Sequence, residues 1–228
     1  MKTLFISATG TNIGKTYTAG LLSHYCNQQG IKTLVAKPIE TGWVGSSDLV
    51  GGNSTPDAII HLNAAQKAGI DVGLEDVNFY RYGLPASPFV AQMHQPQAPK
   101  VDFEFIAKKI MALQKKCDFV IIEGAGGLLV PIGTGDNMFD LAQYLGSHLL
   151  LVSSDRLGML NDLLLNKAFL DSKGFPCTYA INVRDEESYK EISQPYIEYL
   201  NAISQKRIHQ LQTDMSLIAS EVLSFCKI

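Results

Sequence analysis

The first sixteen residues constrain this chain more than any other stretch. The apolar run Leu4-Phe5-Ile6-Ser7 leads into the small, glycine-bearing segment Ala8-Thr9-Gly10-Thr11-Asn12-Ile13, and Gly14-Lys15-Thr16 then opens a helix. A buried strand, a loop of small residues and a helix start form the order that phosphate binding requires. Backbone N–H groups turn inward around the anion, the helix N-terminus adds partial positive charge and the lysine adds a full one. Thr16 stands where its hydroxyl can reach a magnesium ion. The usual phosphate-binding pattern has a glycine where this chain has Thr9; here the glycine has moved to Gly10. The competing reading is a strand–turn–helix corner whose glycines serve only geometry. Gly-Lys-Thr directly behind an apolar strand favours nucleotide binding.

The rest of the chain suits a soluble nucleotide-binding domain. A hydrophobic content of 46% with 18% charged residues over 228 positions supplies a large core, and one domain spanning residues 1–228 is expected. The net charge of −3 argues against a general nucleic-acid surface. No apolar run approaches the roughly 18 residues of a membrane span, so no membrane partner is expected. The four cysteines (Cys26, Cys117, Cys177, Cys226) form no metal-type pair and read as reduced, structural thiols of a cytoplasmic protein. The five histidines are equally scattered, and a lone histidine is more often structural than a ligand.

Apolar, β-branched runs alternate with amphipathic segments, which predicts an α/β fold: a doubly wound, mostly parallel sheet with helices on both faces. The strands expected are 3–7, 33–37, 119–123, 148–153 and 177–182, with 77–80 a weaker candidate. Helices are expected over 14–29, 56–68, 102–116, 158–172, 186–205 and 213–225, with short turns near 88–95 and 138–145. The Gly- and Ser-rich segment 42–55 reads as a long loop, and such loops tend to be functional.

Three further positions carry chemistry. The strand Phe119-Val120-Ile121-Ile122 ends in Glu123 and runs into Gly124-Ala125-Gly126-Gly127, placing a carboxylate where a magnesium shell needs oxygen. Lys37, at the end of the second strand, converges on the crevice that holds Lys15, where two lysines can neutralise charge on a transferring phosphoryl group. Asp57 opens the helix after the long loop. From its position alone it is either a metal ligand or an ordinary first-turn acid.

Taken together, Gly10-Thr11-x-x-Gly14-Lys15-Thr16, Lys37-Pro38-x-x-Thr41-Gly42, Ser87-Pro88 and Glu123-Gly124-Ala125-Gly126-Gly127 resemble the dethiobiotin synthetase family in order and spacing, from about residue 1 to residue 185. The Lys-Pro and Glu-Gly-Ala-Gly-Gly motifs are far more specific than the phosphate loop alone. The resemblance implies an ATP-dependent cyclo-ligase that takes 7,8-diaminononanoate and CO2. A carbamate forms on one amine, the γ-phosphoryl group transfers to it, and the second amine closes a cyclic urea. The chemistry depends on position and charge neutralisation, because carbamate and triphosphate repel each other.

Residue by residue, the resemblance implies that Lys15 and Lys37 hold phosphates and developing charge. Thr11 and Thr41 would hydrogen-bond the carbamate and its substrate, with Gly126 beside them. The phosphate loop from Thr11 through Asn12, Ile13, Gly14, Lys15 and Thr16 to Tyr17 would bind the nucleotide, and Asn182 would meet its base. Thr16, Asp57 and Glu123 would complete a Mg2+ shell. Leu157, Gly158 and Asn161 match a helix start that receives the substrate carboxylate from a neighbouring subunit, implying a homodimer. The alternative reading is a partitioning or maturation ATPase acting as a nucleotide switch. Such proteins commonly carry a second lysine ahead of Gly-Lys-Thr, and positions 8–13 contain none.

The chain also departs from the family pattern. Ala8 and Gly10 differ from the usual loop, Asn12 stands where glutamate is common, and Phe89 follows Ser87-Pro88 where a histidine is usual. Residues 202–212 contain neither glycine nor proline, so the family's C-terminal loop over the base is missing. The expectation is altered nucleotide affinity and a weak preference for ATP over GTP or CTP.

Overall fold

The computed structural model describes residues 3–43, 55–204 and 206–228. In chain order the elements are β1 (Thr3–Ala8), α1 (Lys15–Gln28), β2 (Thr33–Ala36), β3 (Ile39–Thr41), α2 (Asp57–Lys67), α3 (Leu74–Val77), β4 (Tyr80–Tyr82), α4 (Pro88–His94), α5 (Phe103–Leu113), β5 (Phe119–Glu123), α6 (Met138–Tyr144), β6 (His148–Ser154), α7 (Met159–Ser172), β7 (Cys177–Asn182), α8 (Glu186–Ile192), α9 (Gln194–Ile203), β8 (Ile208–Gln210) and α10 (Met215–Cys226).

Six strands form one parallel sheet in the order β2-β5-β1-β6-β7-β8. Every residue of β1, β5, β6 and β7 is buried, which is why these strands read as continuous apolar runs. Alternate residues feed two cores. Phe5, Leu34 and Ile122 pack on one face with residues of α5 and α7, while Leu4, Ile6 and Ile121 pack on the other with α1 and α10. The doubly wound, parallel architecture expected from the alternating pattern is therefore present.

Local differences have local causes. Strand β2 stops at Ala36, because the N–H of Lys37 donates to Val77 O (2.7 Å) instead of to β5. The candidate strand at 77–80 is displaced: 74–77 is a helical turn, with Asp76 accepting the Gly73 N–H, and the strand begins at Tyr80. That strand, β4, pairs with β3 in a separate two-stranded sheet. The helix expected over 186–205 is two helices divided at Ser193, where Pro195 removes a backbone donor just inside the second. Of the long loop expected over 42–55, residues 44–54 lie outside the described residues. Strand β8, in the region expected to hold no base-binding loop, adds an edge to the sheet beside β7.

Candidate active site

The carboxyl ends of β1, β2 and β5 meet α1 and α2 around an open cleft of about 850 Å³. Its anion-binding end is the loop between β1 and α1. Asn12 sits at φ +60° and Gly14 at φ +114°, the left-handed region that Asn tolerates and Gly prefers. At Gly14 the glycine is also forced by space: a Cβ there would stand 2.2 Å from Asn182 Nδ2. Asn182 is that close because its Nδ2 donates to Ile13 O at 2.9 Å, while its Oδ1 accepts from Gln212 Nε2 at 2.9 Å. Asn182 is buried and braces the loop from behind; it is not among the residues lining the cleft. Arg184, two residues on, does line it, and its guanidinium donates to Asn12 O at 2.7 Å.

Lys15 folds back over the loop and donates to Gly10 O at 3.1 Å. Burial, with Lys37 nearby, pulls its pKa down to about 8 against the opposing pull of Glu123 and Asp57. Thr11, Asn12 and Tyr17 are exposed along the rim, and Thr16 stands half-buried below them.

The floor of the cleft is a charged cluster. Lys37 Nζ lies 2.6 Å from Glu123 Oε1 and 3.1 Å from Asp57 Oδ2, and donates to Gly124 O at 3.1 Å. Thr16 Oγ1 donates to Glu123 Oε1 at 2.9 Å, and His61 Nε2 lies 2.5 Å from Glu123 Oε2. Burial alone would raise the pKa of Glu123, but Lys37 and His61 outweigh it and hold the group near 2. Burial would likewise lower that of Lys37, and the two carboxylates reverse the shift and keep it well above the ordinary lysine value.

Sequence reasoning missed two members of this cluster. Glu40, on β3, accepts the N–H groups of Asp57 (2.7 Å) and Ala58 (3.2 Å), capping a helix whose own N-cap, Pro56, has no side-chain acceptor. Burial raises its pKa, with Lys37 pulling the other way. His61 is the other, and its only sequence signal is that it follows Asp57 by four residues, one helical turn.

Lys15, Thr16, Lys37, Asp57 and Glu123 thus come together, with Thr41 and Gly126 on the same cleft wall. Gly126 adopts φ +69°. Leu157, Gly158 and Asn161 do not join them. They lie exposed at the corner between β6 and α7, Leu157 at 79%. Thr16, Asp57 and Glu123 are hard oxygen donors facing one space, as magnesium needs. Among the described residues no group of three His, Cys, Asp or Glu side chains forms a ready metal cage.

A model of the AAA domain family matches residues 2–207. The chain is 40% identical to an ATP-dependent dethiobiotin synthetase of Helicobacter pylori, over 96% of this chain and 99% of the relative. It is 39% identical to one of Wolinella succinogenes, over 98% and 99%. A Vibrio vulnificus protein of the same name is 30% identical over 76% of this chain and 73% of its own length. Among solved structures, the MinD cell division protein of Aquifex aeolicus superposes with a TM-score of 0.52 at 14% identity, covering 99% of this chain and 89% of that one. A plasmid partition protein of Borrelia burgdorferi gives 0.55 at 11%, covering 98% and 96%. At such identities these two likenesses carry the fold alone.

Proposed function

The chain belongs to the ATP-dependent dethiobiotin synthetase family, and from that premise we propose that its cleft converts 7,8-diaminononanoate, CO2 and a nucleoside triphosphate into dethiobiotin. The observation that carries this reading is the position of Lys37. It is 4% exposed, ion-paired to Glu123 and Asp57, and set in the same cleft as Lys15 and the phosphate loop. Phosphate binding alone needs Lys15. A second buried ammonium is suited to a carboxylate that must approach a triphosphate.

In this reading the loop amides and Lys15 hold the β- and γ-phosphates, with Tyr17 at the rim. Thr11 and Thr41 orient the carbamate formed from one substrate amine and CO2. Lys37 lies between carbamate and γ-phosphate, where it offsets the charge of both as the carbamate oxygen attacks phosphorus and the diphosphate leaves. The second amine then attacks the carbamic–phosphoric anhydride, the C–N bond closes the ring, and inorganic phosphate departs with the amine proton lost to solvent. Thr16, Asp57 and Glu123 would hold Mg2+, which supplies charge neutralisation along the phosphates. Holding reactants in line is the main contribution asked of the protein.

The exposed corner at Leu157, Gly158 and Asn161 fits a homodimer in which one protomer's helix start meets the substrate carboxylate of its partner. Free N–H groups at a helix N-terminus suit that anion. A cytoplasmic setting accords with four buried, unpaired cysteines. Among the described residues no helix is long and apolar enough to cross a membrane. The test is direct: incubation with the diamine, bicarbonate, Mg2+ and ATP should yield dethiobiotin, ADP and phosphate. ATP hydrolysis independent of the diamine, with no dethiobiotin formed, would overturn the reading.

A further inference from the structure

Both oxygens of the Glu123 carboxylate are committed. Oε1 accepts from Thr16 and Lys37, and Oε2 meets His61 Nε2 at 2.5 Å. His61 is 1% exposed and belongs to none of the motifs that mark the site. It stands one turn beyond Asp57 on α2, so the two side chains share a helix face. That face straddles the Lys37–Glu123 pair, with Asp57 reaching the ammonium and His61 the carboxylate. Glu40 in turn fixes the start of α2 through the amides of Asp57 and Ala58. The terminal torsion of a glutamate is broad and roughly two-fold, so a carboxylate held through one oxygen can still pivot. A donor on the second oxygen removes that freedom.

We propose that His61 is a positioning residue for the reaction: from the second turn of α2 it holds Glu123 Oε2, so that Oε1 is presented to Thr16 and Lys37 at the phosphate end of the cleft. This rests on the reading above, in which Thr16 and Glu123 serve the magnesium–nucleotide complex. Removing partners that orient metal-binding side chains typically costs about 10–100-fold in metal affinity.

The experiment measures binding of a non-hydrolysable ATP analogue across a magnesium titration, without diamine, in wild type, Glu123→Gln, His61→Leu and His61→Gln. Glutamine keeps an N–H donor at a reach similar to imidazole Nε2; leucine fills volume and donates nothing. The half-saturating magnesium concentration should rise about 10–100-fold in His61→Leu and return close to wild type in His61→Gln, with magnesium-free binding unchanged in both. If Glu123→Gln leaves the magnesium dependence intact, the underlying reading of the site fails. If Glu123→Gln shifts it and His61→Leu does not, His61 is a packing residue and the inference is overturned. Should His61→Leu not fold, His61→Asn replaces it, since the shorter amide cannot reach Oε2. Equal magnesium dependence in His61→Asn and His61→Gln overturns the inference equally.

Discussion

Replacing Lys37 with methionine keeps most of the side chain's length and removes its charge. Glu123 is completely enclosed, and Lys37 supplies its counter-charge at 2.6 Å; Asp57 is half-buried at 3.1 Å from the same ammonium. Removing one partner of a buried ion pair costs about 3–5 kcal/mol. For a domain of this size, at about 2–4 °C per kcal/mol, the melting temperature should fall by roughly 6–20 °C. The loss depends on pH with a definite sign. Burial opposes ionisation of Glu123, but Lys37 and His61 hold its pKa near 2, below its ordinary 4.5. In wild type this group therefore contributes stability above its unfolded pKa and loses it as pH falls toward 2. In Lys37→Met the main force lowering that pKa is gone and burial pushes it upward, so protonation relieves the variant at mild acidity. The gap between the two proteins should narrow steadily from about pH 7 to about pH 4. Calorimetry of the nucleotide-free proteins across that range reads it. Turnover should drop by about 10²–10³-fold while nucleotide still binds the phosphate loop. A gap below about 2 °C, a gap that widens on acidification, or unchanged turnover would refute the reasoning.

Three other outcomes follow from the same geometry. Residues 208–210 are committed to the sheet edge as β8, so kcat/KM for GTP and CTP should lie within about tenfold of that for ATP; a thousandfold preference for ATP, about 4 kcal/mol, refutes this. Gly14→Ala places a Cβ 2.2 Å from Asn182 Nδ2 at φ +114° and should abolish nucleotide binding in calorimetry. Gly69→Ala, at φ +73° with open space around it, should cost only about 1–3 kcal/mol of stability and bind normally, and equal binding by both variants contradicts the argument. Burial and Lys37 lower the pKa of Lys15 to about 8, and an arriving phosphate favours the charged form. ATP affinity should therefore fall as pH rises through 8, and a flat profile to pH 9.5 would exclude that coupling.

The central strands are legible because burial on both faces writes itself as an uninterrupted apolar run; β5 and β7 coincide with their expected spans. Strands β3, β4 and β8 have three residues each, too few for a period to show, and their pairing depends on partners distant in the chain. The site divides in the same way. Lys15, Thr16, Lys37 and Glu123 are legible because each sits at a strand end or helix start, where the topology itself delivers it to the cleft. Glu40 acts through the backbone amides of α2, and His61 through the side chain of Glu123. Glu40 lies in a strand too short to predict, and His61 becomes meaningful only once Asp57 is known to face Lys37. Asn182 was legible as a strand-end position, yet the brace it forms with Ile13 and Gln212 depends on where the phosphate loop folds back.

The charge balance of the cleft gives the departures in the phosphate loop a physical sense. Lys15 and Lys37 face Glu40, Asp57 and Glu123, one negative charge in excess before any phosphate arrives. The excess is contained because the acids are already engaged: Glu40 by the amides of α2, Glu123 by Thr16, Lys37 and His61. Arg184 adds a positive charge at the rim and spends one donor on Asn12 O, steadying a residue in the left-handed region. A glutamate in place of Asn12 would enlarge the excess beside the phosphates and place a bulkier residue at φ +60°. Neutral Asn12 and cationic Arg184 therefore work in one direction. Together they bring the local charge back toward zero at the end of the cleft where a triphosphate must enter, which is where an unbalanced acid costs binding most.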